Sequence, residues 1–141
     1  MRKDLSRFVE AHKRDYQTAL HEIRNGEKRS HWMWYIFPQM QGLGRSECSR
    51  YYAILDLDEA DAFLNDPYLG GHLLEISRAL LDQEEDDPRA IFGSPDDLKL
   101  KSCMTLFAYV SESDSVFHRV LDKYFHGQAD DNTLKILARD R

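Results

Sequence analysis

Gly42 and Gly44, followed by Arg45 and Ser46, form the part of this chain best suited to holding a negatively charged ligand. The two glycines let a ligand approach the main chain closely, and a helix starting near Arg45 or Ser46 would aim its free amide hydrogens at an anion. Just upstream, His31, Trp34 and Gln39 offer a proton-transfer or hydrogen-bonding group, a stacking face and an amide able to read a base or another amide. That inventory suits a small, anionic, nucleotide-like molecule. Lys99, Lys101 and Ser102 supply a second source of phosphate contacts. On a helix Lys99 and Ser102 share a side, whereas Lys101 lies about 100° from Ser102, so Lys99 is the better candidate.

Packing competes as an explanation at each of these positions. Gly42-Leu43-Gly44 lacks the third glycine and the preceding strand of a dinucleotide fingerprint, and the Gly-Lys-Ser/Thr ending of a P-loop. Turn glycines between two helices, with Trp32 and Phe37 in the core, account for the same residues. The six histidines, at 12, 21, 31, 72, 118 and 126, have no metal-binding spacing, so neither a metal nor a cofactor is expected. His12 falls on an apolar stripe and reads as a hydrogen-bonded core histidine. Ser46, Ser49 and Ser102 stand outside any G-x-S-x-G context, and neither cysteine sits beside an obvious base. Asp96 and Asp97 read as first-turn carboxylates that serve a helix dipole. No catalytic residue is assigned.

The elements that must position these residues are helical. Leu5, Phe8, Val9, His12, Tyr16, Ala19, Leu20 and Ile23 recur at three- and four-residue steps, giving a first helix that ends near Gly26. Asp66-Pro67, Asp87-Pro88 and Ser94-Pro95 read as helix starts, because the first side chain accepts an orphan amide and proline needs no hydrogen bond there. Leu69, Leu73, Ile76 and Leu80, then Leu100, Cys103, Met104, Phe107 and Val110, keep helical spacing. A further stripe runs from Val116 to Phe125 and closes at Gly127, and a short terminal helix opens at Asp130 or Asp131. Trp32 to Phe37 has strand-like composition, but a lone strand leaves its backbone unpaired, so it too is read as helix.

With 141 residues and 42% hydrophobic composition, the chain is long enough for one core without staples. The expectation is an all-α fold, a single helical domain over residues 1–141 made of six to nine mostly short helices in irregular orthogonal packing. Cys48 and Cys103 are far apart and outside any C-x-x-C, which fits a reducing, cytoplasmic setting. Met1-Arg2-Lys3-Asp4-Leu5 runs straight into the amphipathic pattern without a signal-peptide core, and no apolar run approaches a membrane span. Net charge is −6 overall but +4 over residues 1–50, which disfavours general nucleic-acid binding while leaving room for a local anion site.

Three segments carry a family resemblance: Ser30-His31-Trp32-Met33-Trp34-Tyr35-Ile36-Phe37-Pro38-Gln39 with Gly42-Leu43-Gly44 and Ser46; Pro67-Tyr68-Leu69-Gly70; and Ile91-Phe92-Gly93-Ser94-Pro95-Asp96-Asp97-Leu98-Lys99-Leu100-Lys101-Ser102. Together they resemble the bacterial proteins grouped as domain of unknown function 1810, over nearly the whole chain and in unbroken order. The resemblance implies a mainly α-helical domain and no defined reaction. Some members carry the label calpastatin, a protease inhibitor, which the patterning and caps of a folded globule do not fit.

Two functions follow as expectations. One is a binding site, with or without catalysis, for an anionic nucleotide-like small molecule at His31, Trp34, Gln39, Gly42, Gly44, Arg45, Ser46 and Lys99. The other is a protein-interaction or adaptor domain whose aromatic surface, including Trp32 or Trp34, docks a partner or a second copy.

Overall fold

Helix α1, Ser6–Arg24, buries Phe8, His12, Tyr16, Ala19, Leu20 and Ile23 of the expected stripe and Ala11 beside them, while Leu5 and Val9 are only half-buried. The chain leaves it at Gly26, whose φ of +76° is a left-handed conformation that favours glycine. These are details of a computed structural model that describes residues 4–139; Met1, Arg2 and Lys3 of the opening run, and Asp140 and Arg141, lie outside them.

After α1 the chain folds back on it. α2, Met33–Ile36, is the helical part of the tryptophan-rich stretch and is only four residues long. Phe37 departs at φ −123°, ψ 70°, as a residue preceding Pro38 is driven to do. Residues 39–41 then run beside Ile54: Gln41 donates its amide to the Ile54 carbonyl, and Ile54 donates to the Gln39 carbonyl, both at 2.9 Å. This parallel bridge between Met40 and Ile54 is isolated, and the described residues contain no strand.

The remaining helices are α3 (Glu47–Tyr51), α4 (Leu57–Asn65), α5 (Pro67–Leu81), α6 (Pro88–Phe92), α7 (Asp96–Tyr109), α8 (Val116–Phe125) and α9 (Asp131–Arg139). Asp66 caps α5 by accepting the Tyr68 and Leu69 amides, and Asp87 caps α6 by accepting the Arg89 amide, each with proline at the first position. Asp130 opens α9 by accepting the Thr133 amide at 2.9 Å.

The Ser94-Pro95 start is a correction. The Ser94–Pro95 peptide is cis, Pro95 itself occupies the cap position and α7 begins at Asp96. The first amides of α7 are taken by main-chain carbonyls, Asp97 bonding Gly93 at 3.0 Å and Leu98 bonding Pro95 at 3.0 Å, which leaves the exposed Ser94 side chain no capping role.

Among the described residues, eight of the nine helices contribute to one cluster of buried apolar side chains, and α3 alone contributes none. α7 lies deepest, with every residue from Ser102 to Ala108 buried. It packs against α6, α8 and α9, while α1 lies along α5 and touches α2. The all-α architecture is as expected, and among the described residues no helix is long and apolar enough to cross a membrane.

Candidate functional site

The two tryptophans of the aromatic stretch have opposite surroundings. Trp32 is 1% exposed, and its indole N–H donates to Glu22 at 2.9 Å. The same carboxylate accepts the Arg29 amide at 2.7 Å, the Ser30 amide at 3.0 Å and the Ser30 hydroxyl at 2.6 Å, so one buried side chain of α1 gathers the whole returning loop. Burial alone raises its pKa, but these four hydrogen bonds to the charged form outweigh it and bring the carboxyl down to about 2. With Trp32 fixed inward, a step of two residues, about 200° of helix, leaves Trp34 half-buried at the surface.

Over Trp34 stands Lys99 of α7, its Nζ 5.5 Å from the ring centroid. Lys99 also pairs with Asp96, one turn earlier, at 3.4 Å. Asp96 in turn pairs with Lys28 at 2.9 Å, and the Lys28 ammonium lies 5.0 Å from the Trp32 ring and donates to the Ser30 carbonyl at 2.6 Å. A chain of alternating charge, Lys28–Asp96–Lys99, therefore ties the start of α7 to both tryptophans.

Trp34, Gln39 and Lys99 line one cleft together with Phe37, Ser49 and Tyr52. The bridge at Ile54 brings the end of α3 to this place, and Arg7 holds it there by donating to the carbonyls of Tyr51 and Ala53, both at 2.8 Å, while pairing with the buried Glu59 at 2.7 Å. The enclosed volume is about 10 Å³, room for about one water. Among the described residues, Lys99 is the one charged side chain that lines it. The Gln39 side-chain amide has no hydrogen-bond partner among the described residues.

The other five expected positions do not line this cleft. His31 is exposed, and its carbonyl accepts the Tyr35 hydroxyl at 3.2 Å. Gly42, at φ +97°, faces α9, where an added Cβ would lie 3.5 Å from Ile136. Gly44 presses on α3 so closely that a Cβ there would stand 2.4 Å from that of Ser49. Arg45 is exposed, and Ser46 caps α3 by accepting the Ser49 amide at 3.1 Å. Lys101 points elsewhere, over the ring of Phe125 at 5.9 Å. Ser49 was weighed only as a nucleophile and Tyr52 was not foreseen, since the five-residue helix α3 that places them leaves no periodic signal. Asp96 is indeed a first-turn carboxylate, but its lysine partners are visible only in the folded chain.

A second polar cluster joins α1 to α5. His12, 2% exposed, bonds the Tyr35 carbonyl through Nε2 at 2.9 Å, so Nε2 carries the proton. Its Nδ1 then accepts from Nδ1 of His72 at 2.9 Å. The His72 ring lies 3.6 Å from that of Tyr16 and nearly parallel, and the Tyr16 hydroxyl donates to Glu75 at 2.6 Å. Burial pushes the His12 pKa down to about 4, against the raising effect of the Tyr35 carbonyl.

Compared with known proteins, the chain matches over residues 2–137 the family described as protein of unknown function DUF1810. Its structure is similar to the crystal structure of the conserved hypothetical protein Rv1873 from Mycobacterium tuberculosis, with a TM-score of 0.93, 43% identity and 96% of each chain covered. No curated protein matches it.

Proposed function

Since the chain belongs to the DUF1810 family, whose description names no reaction to inherit, we propose a function from its own geometry: the Trp34 cleft binds a small anionic molecule that is nucleotide-like in joining a planar ring to an acidic group. The observation that carries this reading is the placement of Lys99 over Trp34 at the rim of a cleft that Gln39 also lines. Stacking on the half-exposed indole, a charge-assisted hydrogen bond from Lys99 and the unpaired amide of Gln39 supply the three contacts such a ligand needs. Because the interior admits only about one water, the ring lies across the mouth. The binding is assigned without a reaction.

The adaptor reading has less support. It requires an exposed apolar patch at Trp32 or Trp34, whereas Trp32 is buried and Trp34 lies half-buried beneath Lys99. A cytoplasmic location fits the two free thiols, of which Cys48 is exposed.

The test is a thermal-shift screen of the whole chain against nucleotides and aromatic acids. A ligand at 100 times its Kd adds about 2.7 kcal/mol, and Lys99→Gln is expected to abolish the shift while leaving the unliganded Tm nearly unchanged. A screen in which neither class stabilises the protein overturns the reading.

A further inference from the structure

We infer that the cleft selects for charge number: its ligand is a planar ring bearing a single negative charge, an aromatic carboxylate or a phosphodiester, and not a phosphate monoester or polyphosphate. This rests on the cleft being the binding site.

The argument is one of local charge. Lys99 alone among the residues lining the cleft is charged, and it does not stand free. Asp96 holds it at 3.4 Å and is itself held by Lys28 at 2.9 Å, with side-chain exposures of 8% for Lys28 and 22% for Asp96. The Lys28–Asp96 pair is thus largely removed from water and is anchored again by the Ser30 carbonyl, so Asp96 stays fixed behind Lys99. The linked group Lys28–Asp96–Lys99 thus sets a net charge of +1 beside the ligand, of which Lys99 alone is presented to it. A monoanion brings the group to neutrality. The second charge of a phosphate monoester, close to −2 at neutral pH, would face Asp96 without a cation to meet it, and at such short range in a partly dry setting like charges repel strongly.

Size acts in the same direction. Ordinary small-molecule sites enclose roughly 300 to 1,000 Å³, whereas this cleft encloses about 10 Å³. A phosphate chain therefore stays outside at the mouth, where Asp96 of the first turn of α7 stands 3.4 Å from Lys99. Lys99, anchored both by the Trp34 ring and by Asp96, presents its ammonium in one place, which favours a short, rigid connection between ring and acid.

The test is isothermal titration calorimetry on the whole chain with two sets of matched probes: 2-naphthoate, its neutral amide and 2-naphthyl phosphate; and 3′,5′-cyclic AMP against AMP. The set that binds identifies the acid as carboxylate or phosphodiester. Within that set the monoanion is expected to bind about tenfold or more tightly than the dianion, and the naphthoate similarly more tightly than its amide. Asp96→Asn raises the local charge to +2 and is expected to narrow the monoanion-to-dianion ratio to about threefold or less. A dianion that binds wild-type protein as tightly as its monoanion overturns the inference and leaves the binding site standing. So does a ratio unmoved by Asp96→Asn in protein of unchanged circular dichroism. Should that variant not fold, the wild-type ratio decides alone. Absence of binding by all five probes removes the site itself and the inference with it.

Discussion

Lys99 lies 5.5 Å from the centre of the Trp34 ring and 3.4 Å from Asp96, so one ammonium of α7 is shared between an indole of α2 and a carboxylate of its own helix. Neither contact is strong alone: a cation over an exposed ring is worth about 0.5–1 kcal/mol, and a surface pair about the same or less. Their effect is positional. They fix a positive charge at the edge of a stacking surface, and the buried anchoring of Trp32 and Lys28 beneath holds that edge in place.

The tight packing at Gly70 yields the first prediction. In α5, a Cβ on Gly70 would stand 1.9 Å from the main-chain oxygen of Leu64, whereas one on its neighbour Gly71 would meet nothing within 4 Å. Gly70→Ala must push α4 and α5 apart and is expected to cost about 3 kcal/mol. Gly71→Ala fills open space on a helix and is expected to gain about 0.5–1 kcal/mol. Urea denaturation of the two variants checks the pair, and equal midpoints would contradict this account of the α4–α5 contact.

Helix starts give a second contrast. Asp66 accepts two amides of α5, at 3.1 and 2.8 Å, so Asp66→Ala is expected to lose about 1 kcal/mol. At Ser94, where main-chain carbonyls already take the first amides of α7, alanine is expected to change stability by less than about 0.5 kcal/mol. A larger loss at Ser94 than at Asp66 in thermal unfolding would reverse the assignment of the caps.

These starts also mark how far the sequence could be read. Asp-Pro pairs are local devices, and both worked as their chemistry implies; Ser94-Pro95 offers the same kind of cap, but the course of the main chain at Gly93 and Pro95 decides the matter. α4 gave no clear signal, because Leu57, Ala60 and Phe63 are interleaved with acids and the next helix follows at Pro67. Trp32 to Phe37 was legible as helix rather than strand, yet Pro38 keeps that helix to four residues. For the site, residue types were informative and placement was not. Trp34 and Gln39 belong to one stretch, but Lys99 reaches them only through the packing of α7, and Gly44 meets Ser49 only because α3 folds back. Glu22, which anchors the loop below the cleft, looks in sequence like any surface glutamate of a helix.

The histidine pair predicts a pH dependence. His12 falls from its ordinary 6.5 to about 4 in the folded chain, chiefly through burial. Between those values the unfolded chain binds more protons, so stability rises with pH: it is complete above 6.5 and declines as pH falls toward 4. Neighbouring His72 is lowered too, also chiefly by burial, and acts in the same direction. Chemical denaturation is expected to show a loss of about 2 kcal/mol from His12 between pH 7.5 and 5, and a smaller slope in His12→Asn. A flat profile over that range would show that the pair is not held neutral.

Glu22 acts in the same direction as His12, over a lower range of pH. Its carboxyl, brought down to about 2, stabilises the fold above its ordinary 4.5, and that contribution declines as pH falls toward 2. Glu22→Gln replaces an acceptor facing four donors with a group that itself donates, at an expected cost of about 2–3 kcal/mol. Calorimetry and the emission of Trp32 report the change together. An unaltered Tm would mean that the loop is held by other contacts.

The central claim concerns Trp34, and the chain's two tryptophans make it separable. In ¹H–¹⁵N spectra each indole N–H gives its own resonance, that of Trp32 being bonded to Glu22. Titration with aromatic acids and cyclic nucleotides is predicted to move the Trp34 indole resonance saturably, leave that of Trp32 in place, and lose the effect in Lys99→Gln. Resonances that stay still throughout, or a Trp34 shift that survives Lys99→Gln undiminished, would contradict the account.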